Sequence, residues 1–175
     1  MRRLRLIPIL AAITAALLLN ACSSRSRSGH SYSLGEKAEL GHIIYTVYET
    51  QWVPQFGEGP AARIPEHRFF LVRMAAVNSG GADLIVPNVT IEDDHGNSYP
   101  ELKDGDGVPQ WIGYLRQVKP ADSAQGNLLF DVPPAHYRLR LTDENEENSA
   151  YFDIPLSFAS EVPSEVPLPP GTKKQ

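Results

Sequence analysis

Residues 68–78 read R-F-F-L-V-R-M-A-A-V-N, and this stretch has the clearest strand pattern in the chain. One alternate set of side chains, from Phe70 through Met74, is apolar throughout, whereas the other set contains Arg73. Because successive side chains of a strand point to opposite faces of a sheet, the set without the charge is expected to face the core. The Gly-Gly pair at 80–81 supplies the positive dihedral angles of a tight turn. The stretch predicts a central strand that ends in a turn.

Other segments also alternate, or are rich in the β-branched and aromatic residues that are typical of strands. Pro87 divides one of them into two short strands or confines it to a sheet edge, because proline cannot donate to a ladder hydrogen bond. The chain is therefore predicted to be all-β, an antiparallel immunoglobulin-like β-sandwich. The predicted strand segments are residues 42–50, 68–78, 82–99 with its break, 126–132, 137–142 and 150–156. The predicted core residues are Phe70, Val72, Met74, Leu128, Phe130, Leu139 and Leu141.

Three runs in this part of the chain resemble a known family. They are F-L-V-R-M-A-A-V-N-S-G-G at 70–81, V-P-N-V-T-I-E-D-D-H-G-N-S-Y at 86–99 and V-K-P-A-D-S-A-Q-G-N-L-L-F-D-V-P at 118–133. They are similar to an immunoglobulin-like, telokin-like domain of unknown function that is widespread in bacterial lipoproteins and surface proteins. The resemblance covers residues 34–154 and implies a β-sandwich, with Ala121 where the family usually has glycine and with no catalytic residues to carry over. The matching positions are Asn78, Gly96, Pro120, Gly126, Leu128, Phe130, Val132 and Pro133.

The amino-terminal segment has the order of a secretory signal, with three arginines in the first five residues, an apolar run at 6–19 and L-L-L-N-A-C at 17–22. It resembles the signal peptide and lipobox of bacterial lipoproteins, which implies acylation of Cys22 and cleavage just before it. Two alternatives stay open. One is an uncleaved anchor, although a spanning helix needs about 20 apolar residues; the other is cleavage without lipid. Because Cys22 is the one cysteine of the chain, it forms no internal disulfide.

The predicted organisation is a cleaved signal peptide at 1–21, a lipidated flexible tether at 22–33, a sandwich domain at 34–158 and a proline-rich disordered tail at 159–175. Loss of the signal removes its arginines and takes the net charge from −5 to −8. That charge argues against nucleic-acid binding, so the membrane contact is expected to come from the acyl chains. We expect a location in the cell envelope, on the outer membrane if the source has one and otherwise on the outer face of the cell membrane.

Two long irregular segments interrupt the strands, at residues 51–67 and 102–116. Both contain glycines and prolines that exclude a regular ladder, and long loops of a compact domain are often binding loops. Each carries two aromatic residues, which either cap the core or form a binding surface, since aromatic anchors dominate many interfaces. The sequence predicts an interaction module whose loops contact an envelope protein, a cell-wall polymer or a small ligand. These aromatic residues are Trp52, Phe56, Trp111 and Tyr114.

The run D-G-D-G at 104–107 raises a calcium hypothesis, because hard cations prefer close carboxylate oxygens. Val108 breaks the EF-hand spacing, so Asp104 and Asp106 are only weak ligand candidates. No catalytic motif and no phosphate loop occurs in the sequence, and we expect neither catalysis nor a cofactor. An alternative hypothesis is a metal- or small-solute-binding envelope sensor. Its oxygen ligands would be Asp93, Asp94, Asp104 and Asp106.

Overall fold

A computed structural model of the chain describes residues 30–156, which form an all-β structure. Cys22, the predicted signal peptide and the tail predicted from residue 159 lie outside the described residues. Within them the helical content is one 3-10 turn at Gly59–Ala61, and no helix there is long and apolar enough to span a bilayer. The strands are β1 Ser31–Tyr32, β2 Lys37–Leu40, β3 Ile43–Val53, β4 Phe69–Asn78, β5 Leu84–Val86, β6 Thr90–Asp93, β7 Ser98–Pro100, β8 Arg116–Val118, β9 Ser123–Asp131, β10 Tyr137–Thr142 and β11 Ser149–Ile154.

The strands form two sheets that pack face to face, together with a short ribbon. The four-stranded sheet has the order β2-β3-β4-β9, the five-stranded sheet has the order β1-β11-β10-β6-β7, and β5 pairs with β8. Every pair is antiparallel except that of β1 with β11. The segment at 68–78 is the inner strand β4, between β3 and β9. The antiparallel β-sandwich is therefore confirmed.

The main core lies between the two sheets and is filled by alternate residues of strands from both. Arg73 of β4 points to the other face of its sheet, as its charge predicted. Tyr45 and Tyr137 are also buried in this core. Their hydroxyls are satisfied there, since they donate hydrogen bonds to the carbonyl oxygens of Thr142 and Pro133 at 2.9 and 2.5 Å. The seven predicted core residues are all buried there, namely Phe70, Val72, Met74, Leu128, Phe130, Leu139 and Leu141.

The folded domain begins earlier than predicted. Ser31–Tyr32 forms β1, which pairs in parallel with β11, and the ring of Tyr32 stacks on Phe152 at a centroid distance of 5.3 Å. The prediction of a tether up to residue 33 is wrong at this end. Two residues give no periodic signal, so the sequence could not show that an aromatic ring anchors them.

Two further strands escaped the sequence pattern. β2 pairs with β3 from Lys37 opposite Thr46 to Leu40 opposite Ile43, so the first predicted strand is one arm of a hairpin. β8 begins at the last residue of the segment predicted to be irregular. It was not predicted, because it has only three residues and its central position is glutamine. The predicted break at Pro87 is present, since β5 ends just before it and β6 begins three residues after it.

Ala121 adopts the conformation of the glycine that it replaces. Its φ is +61°, in the left-handed region that favours glycine. The turn that it forms is tied to the end of β4, where the Ala121 amide donates to the carbonyl of Asn78 at 3.0 Å. The turn type expected from the resemblance is thus kept despite the methyl group.

Candidate functional site

The two long segments that were predicted as display loops meet on the outer face of the four-stranded sheet. There they cover one half of that face, where β4 and β9 expose apolar side chains away from the main core. The resulting second cluster is closed by the partly buried Val53 and Leu102. Its buried members are Phe56, Phe69, Leu71, Val108 and Leu129.

Arg63 joins the two loops to each other. Its guanidinium donates to the carbonyl oxygens of Asp106 and Asp104 at 2.9 and 3.0 Å. The same guanidinium lies over the ring of Phe69, 5.2 Å from the centroid, which is a favourable cation–π distance. The loops therefore form one fixed cover. We call it the loop cover, and it consists of Phe56, Arg63 and Val108 packed over Phe69, Leu71 and Leu129.

Both aromatic residues of the predicted segment 51–67 pack against other rings. Trp52 is not in a loop, because β3 continues through Val53, so the prediction that the irregular segment begins at residue 51 is wrong. Trp52 is half-buried and lies 4.4 Å from the ring of Phe70, at the edge of the main core. Phe56 is buried in the loop cover, 4.8 Å from the ring of Phe69. Both places agree with the capping interpretation, and neither side chain presents the exposed ring that a docking anchor needs.

The second loop holds its aromatic residues differently. Trp111 is 36% exposed, and its indole lies on Gly105, where an added Cβ would come within 2.0 Å of the ring. The Tyr114 hydroxyl accepts a hydrogen bond from the amide of Asn88 at 2.9 Å, and Lys103 lies 5.6 Å from its ring. Of the four predicted binding aromatics, Trp111 is the most available to a ligand.

The D-G-D-G run has a packing explanation. Gly105 receives the Trp111 indole, and Gly107 has a φ of +77° with Phe56 2.9 Å from the position of an added Cβ. The Asp104 carboxylate accepts a hydrogen bond from the Asp106 amide at 2.9 Å. Close contact with the Trp111 ring at Gly105, and with the Phe56 side chain and a positive φ at Gly107, therefore favours glycine at both positions.

The carboxylates of the sensor hypothesis do not come together. Within residues 30–156, no group of three or more histidine, cysteine, aspartate or glutamate residues is placed to hold a metal ion. Asp93 accepts hydrogen bonds from the amides of His95 and Asn97 and from the Asn97 side chain, and that side chain in particular lowers the pKa of Asp93. Asp94 instead contacts His136 at 3.0 Å.

The open half of the same sheet face carries polar side chains around Arg73. Two adjoining depressions share this arginine, one of about 320 Å³ and one of about 240 Å³. Together they fall within the size range of small-ligand sites. We call them the Arg73 groove. Its lining residues are Glu49, Thr50, Gln51, Leu71, Arg73, Gln110, Gln125, Gly126 and Asn127.

One rim of the groove is a strained segment of the second loop. Gln110 has a φ of +47°, which is uncommon for a residue with a side chain. Hydrogen bonds fix it there, since the amide of Asn127 donates to the Gln110 carbonyl at 2.9 Å and the Ile112 amide to the Asn127 carbonyl at 3.2 Å. Gly126 permits this approach, because an added Cβ would lie 2.3 Å from the Gln110 oxygen.

A buried ion pair holds the two ends of the second loop together. Arg116 and Glu101 are in contact with their side chains almost fully buried. Glu101 also accepts a hydrogen bond from the Val89 amide at 2.8 Å, and Arg116 donates to the carbonyl of Gly113 at 2.7 Å. Burial raises the pKa of Glu101, while the neighbouring guanidinium opposes that rise. The pair fixes the base of the loop that supplies the rim of the Arg73 groove.

A third depression, of about 380 Å³, lies at the end of the sandwich where β4 ends. His42 lines it, and its Nδ1 is 2.5 Å from Glu144 Oε1 while its amide donates to the other oxygen of the same carboxylate at 3.0 Å. The histidine contact lowers the pKa of Glu144. An added Cβ at Gly41 would lie 2.3 Å from this carboxylate. The contact ties the β2–β3 turn to the β10–β11 turn.

Solved structures share this architecture at low sequence identity. The yjhA protein of Bacillus subtilis has a TM-score of 0.56 at 14% identity, over 71% of this chain and 99% of its own. The secreted protein MPT63 of Mycobacterium tuberculosis has a TM-score of 0.54 at 14% identity, over 74% of this chain and 100% of its own. The protein ycdA of Bacillus subtilis, named a "putative lipoprotein", has a TM-score of 0.52 at 16% identity, over 71% of this chain and 39% of its own.

These likenesses establish the β-sandwich fold and nothing finer. No protein-family model matches the chain, and no curated protein does.

Sequence reasoning missed the Arg73 groove. Its residues come from β3, β4, β9 and the second loop, and only the strand register brings Glu49, Arg73 and Asn127 into one row. One signal was available, because a charge in the middle of the most apolar strand marks a position that leaves the core. The signal identified the face but not the polar neighbours that make it a groove.

Proposed function

We propose that this protein is a lipid-anchored, extracytoplasmic binding module of the bacterial cell envelope, without catalytic activity, and that it binds its ligand in the Arg73 groove. The observation that carries the proposal is the contrast on one sheet face. The apolar half lies under the loop cover, whereas the half around Arg73 is open and lined by polar side chains. A surface kept open beside such a cover is the natural place for a ligand.

The direction of β1 supports the anchoring part of the proposal. β1 runs parallel to β11, and the Tyr151 amide donates to the His30 carbonyl at 3.1 Å. The chain before His30 therefore leaves at the end where β11 begins, next to the acidic turn at 143–148. Seven residues separate Cys22 from His30, which span roughly 25–30 Å when extended. An acyl anchor at Cys22 would keep the domain close to the membrane.

Anchoring is tested with Cys22→Ser in the native host or a bacterial expression host. The wild type should incorporate labelled fatty acid and fractionate with membranes, whereas the variant should be unlabelled and soluble. An unlabelled wild type in the soluble fraction would contradict lipid attachment.

Binding through the groove is tested by crosslinking in intact envelopes, with the full-length protein carrying Arg73→Gln. The matched control is Arg138→Gln on the five-stranded sheet, where Arg138 lies opposite Glu92 as Arg73 lies opposite Glu49. The proposal expects crosslinked species that Arg73→Gln loses and Arg138→Gln keeps. Equal crosslinking by the two variants would show that the groove is not the binding site.

A further inference from the structure

The lining of the Arg73 groove has an unusual chemistry for a ligand site. Ligand pockets are mostly apolar with a few polar groups, but here the aliphatic contribution comes from Leu71 alone. Primary amides dominate instead. Each has two donors and an acceptor, of which Asn127 already uses one donor for the Pro109 carbonyl at 2.7 Å. Such a surface suits a ligand that is covered with hydroxyl groups. The amide side chains are those of Gln51, Gln110, Gln125 and Asn127.

One positive charge lies between the two depressions. Arg73 donates to Glu49 Oε1 at 3.3 Å, and the two side chains are 37% and 67% exposed. A guanidinium has five donors, so most of its capacity is left for a ligand. Exposed pairs of this kind contribute little stability. An incoming carboxylate could therefore take a bidentate position on Arg73 at small cost.

The groove excludes other ligand classes by what it lacks within the described residues. A nucleic acid needs several cations along its path, and Arg73 is the only cation in this lining. A peptide is usually held by apolar anchors in pockets, which this lining does not supply. Trp111 follows Gln110 in the chain and its backbone is bridged to Asn127, but its indole lies on Gly105 and is not part of the groove lining.

We propose that the Arg73 groove binds an acidic saccharide, with a carboxylate of one sugar unit on the Arg73 guanidinium and neighbouring units in the two depressions on either side. This assignment rests on the proposed function and names the ligand class of the same site. The fixed rim at Gln110 supports this assignment. Its uncommon backbone conformation is held in place by hydrogen bonds, which is a feature of pre-organised sites.

The test uses the detergent-solubilised full-length protein and isothermal titration against a panel of oligosaccharides. The acidic members contain glucuronate, galacturonate or N-acetylmuramate units. Each has a partner of equal length with its carboxylates methyl-esterified. A tetraglutamate peptide controls for charge alone.

At least one acidic saccharide should bind, and its ester should bind about 10- to 100-fold more weakly, as expected for a lost charged hydrogen bond. Arg73→Gln should cause a similar loss, whereas Arg138→Gln should leave the affinity within about twofold. Glu49→Gln should bind more tightly, because it removes a competitor for the guanidinium. This increase separates a ligand role from a structural one.

Three results would overturn the assignment. They are failure of every acidic saccharide to bind, equal binding of the ester, and equal binding of tetraglutamate. The groove as a binding site is judged separately by the crosslinking of Arg73→Gln. If no acidic saccharide binds but Arg73→Gln still loses the crosslinked species, only the ligand class is refuted.

Discussion

The two halves of the outer face of the four-stranded sheet are built on the same three strands, yet they differ in what covers them. Near Phe69 and Leu129 the outward side chains are apolar and two loops close over them. Two to four residues further along the same strands, the outward side chains are Arg73 and Gln125, and the face is open. Loop side chains pack over the apolar half, whereas the second loop only borders the polar half at Gln110. Burial of apolar area, and not loop length, sets the edge of the cover.

Each half also contains or adjoins an ion pair. The largest expected effect is the difference between these two pairs in the free energy of unfolding that is lost when one partner is removed. Glu101→Ala removes the partner of buried Arg116 at the base of the second loop. An uncompensated buried charge typically costs about 3–5 kcal/mol. The matched change Glu49→Ala removes the partner of exposed Arg73 and should cost about 0–1 kcal/mol. Reversible urea unfolding measures both, and similar losses in the two variants would contradict the contrast between covered and open halves.

The next largest effect compares two side chains on one face of β9. Leu129 is fully buried under the loop cover, so Leu129→Ala should lower the free energy of unfolding by about 2–5 kcal/mol. Gln125→Ala, four residues earlier on the open half, should change it by no more than about 0.5 kcal/mol. Should Leu129→Ala cost less than about 1 kcal/mol, the loops would not be a packed cover.

The sequence sufficed for the fold class and the main core, because that core follows simple alternation. Phe70, Val72 and Met74 face inward on period two, and the charge of Arg73 settles which set does so. It did not suffice for the second cluster. Phe69 and Leu71 lie on the outward set, and nothing local shows that a segment 13 residues before Phe69, at Phe56, folds back onto them.

The candidate site was predicted in part. The second loop was singled out, and its Gln110 lines the groove, whereas the exposed Trp111 does not. The polar residues of the groove were not singled out, because glutamine and asparagine in a strand read as ordinary surface. Their meaning depends on the register of β3, β4 and β9, which is a property of pairing and not of any one segment.

A smaller effect concerns the backbone conformation of a turn between strands. Ala121 has a φ of +61°, and the left-handed region costs a residue with a side chain about 1–2 kcal/mol. Glycine loses more chain entropy on folding, about 0.5–1 kcal/mol. Ala121→Gly should therefore stabilise the protein by up to about 1 kcal/mol in thermal or urea unfolding. Ala124→Gly in β9 is the control and should destabilise it, so two changes of the same sign would argue against strain at Ala121.

The smallest effect concerns a charge contact on the five-stranded sheet, away from both halves, and it sets the scale for exposed pairs in this protein. His136 lies 3.0 Å from Asp94 Oδ1 and 3.1 Å from Asp153 Oδ1. The hydrogen bond to Asp94 in particular, with help from Asp153, raises the pKa of His136 above its usual 6.5. The side chain is one-third exposed, so solvent screening reduces the contribution to about 0.2–1 kcal/mol.

The sign of this pH dependence follows from the direction of the pKa shift. The folded protein binds the His136 proton more tightly than the unfolded chain does, so the stabilisation is fully present below about pH 6.5. It is lost as the pH rises through the folded pKa. We expect the difference in unfolding free energy between wild type and His136→Gln to shrink from pH 5.5 to 8.5. In a background where Asp94→Asn and Asp153→Asn remove both carboxylates, the same His136→Gln change should show no such trend. A difference that is constant with pH would mean that the two carboxylates do not hold a protonated imidazole.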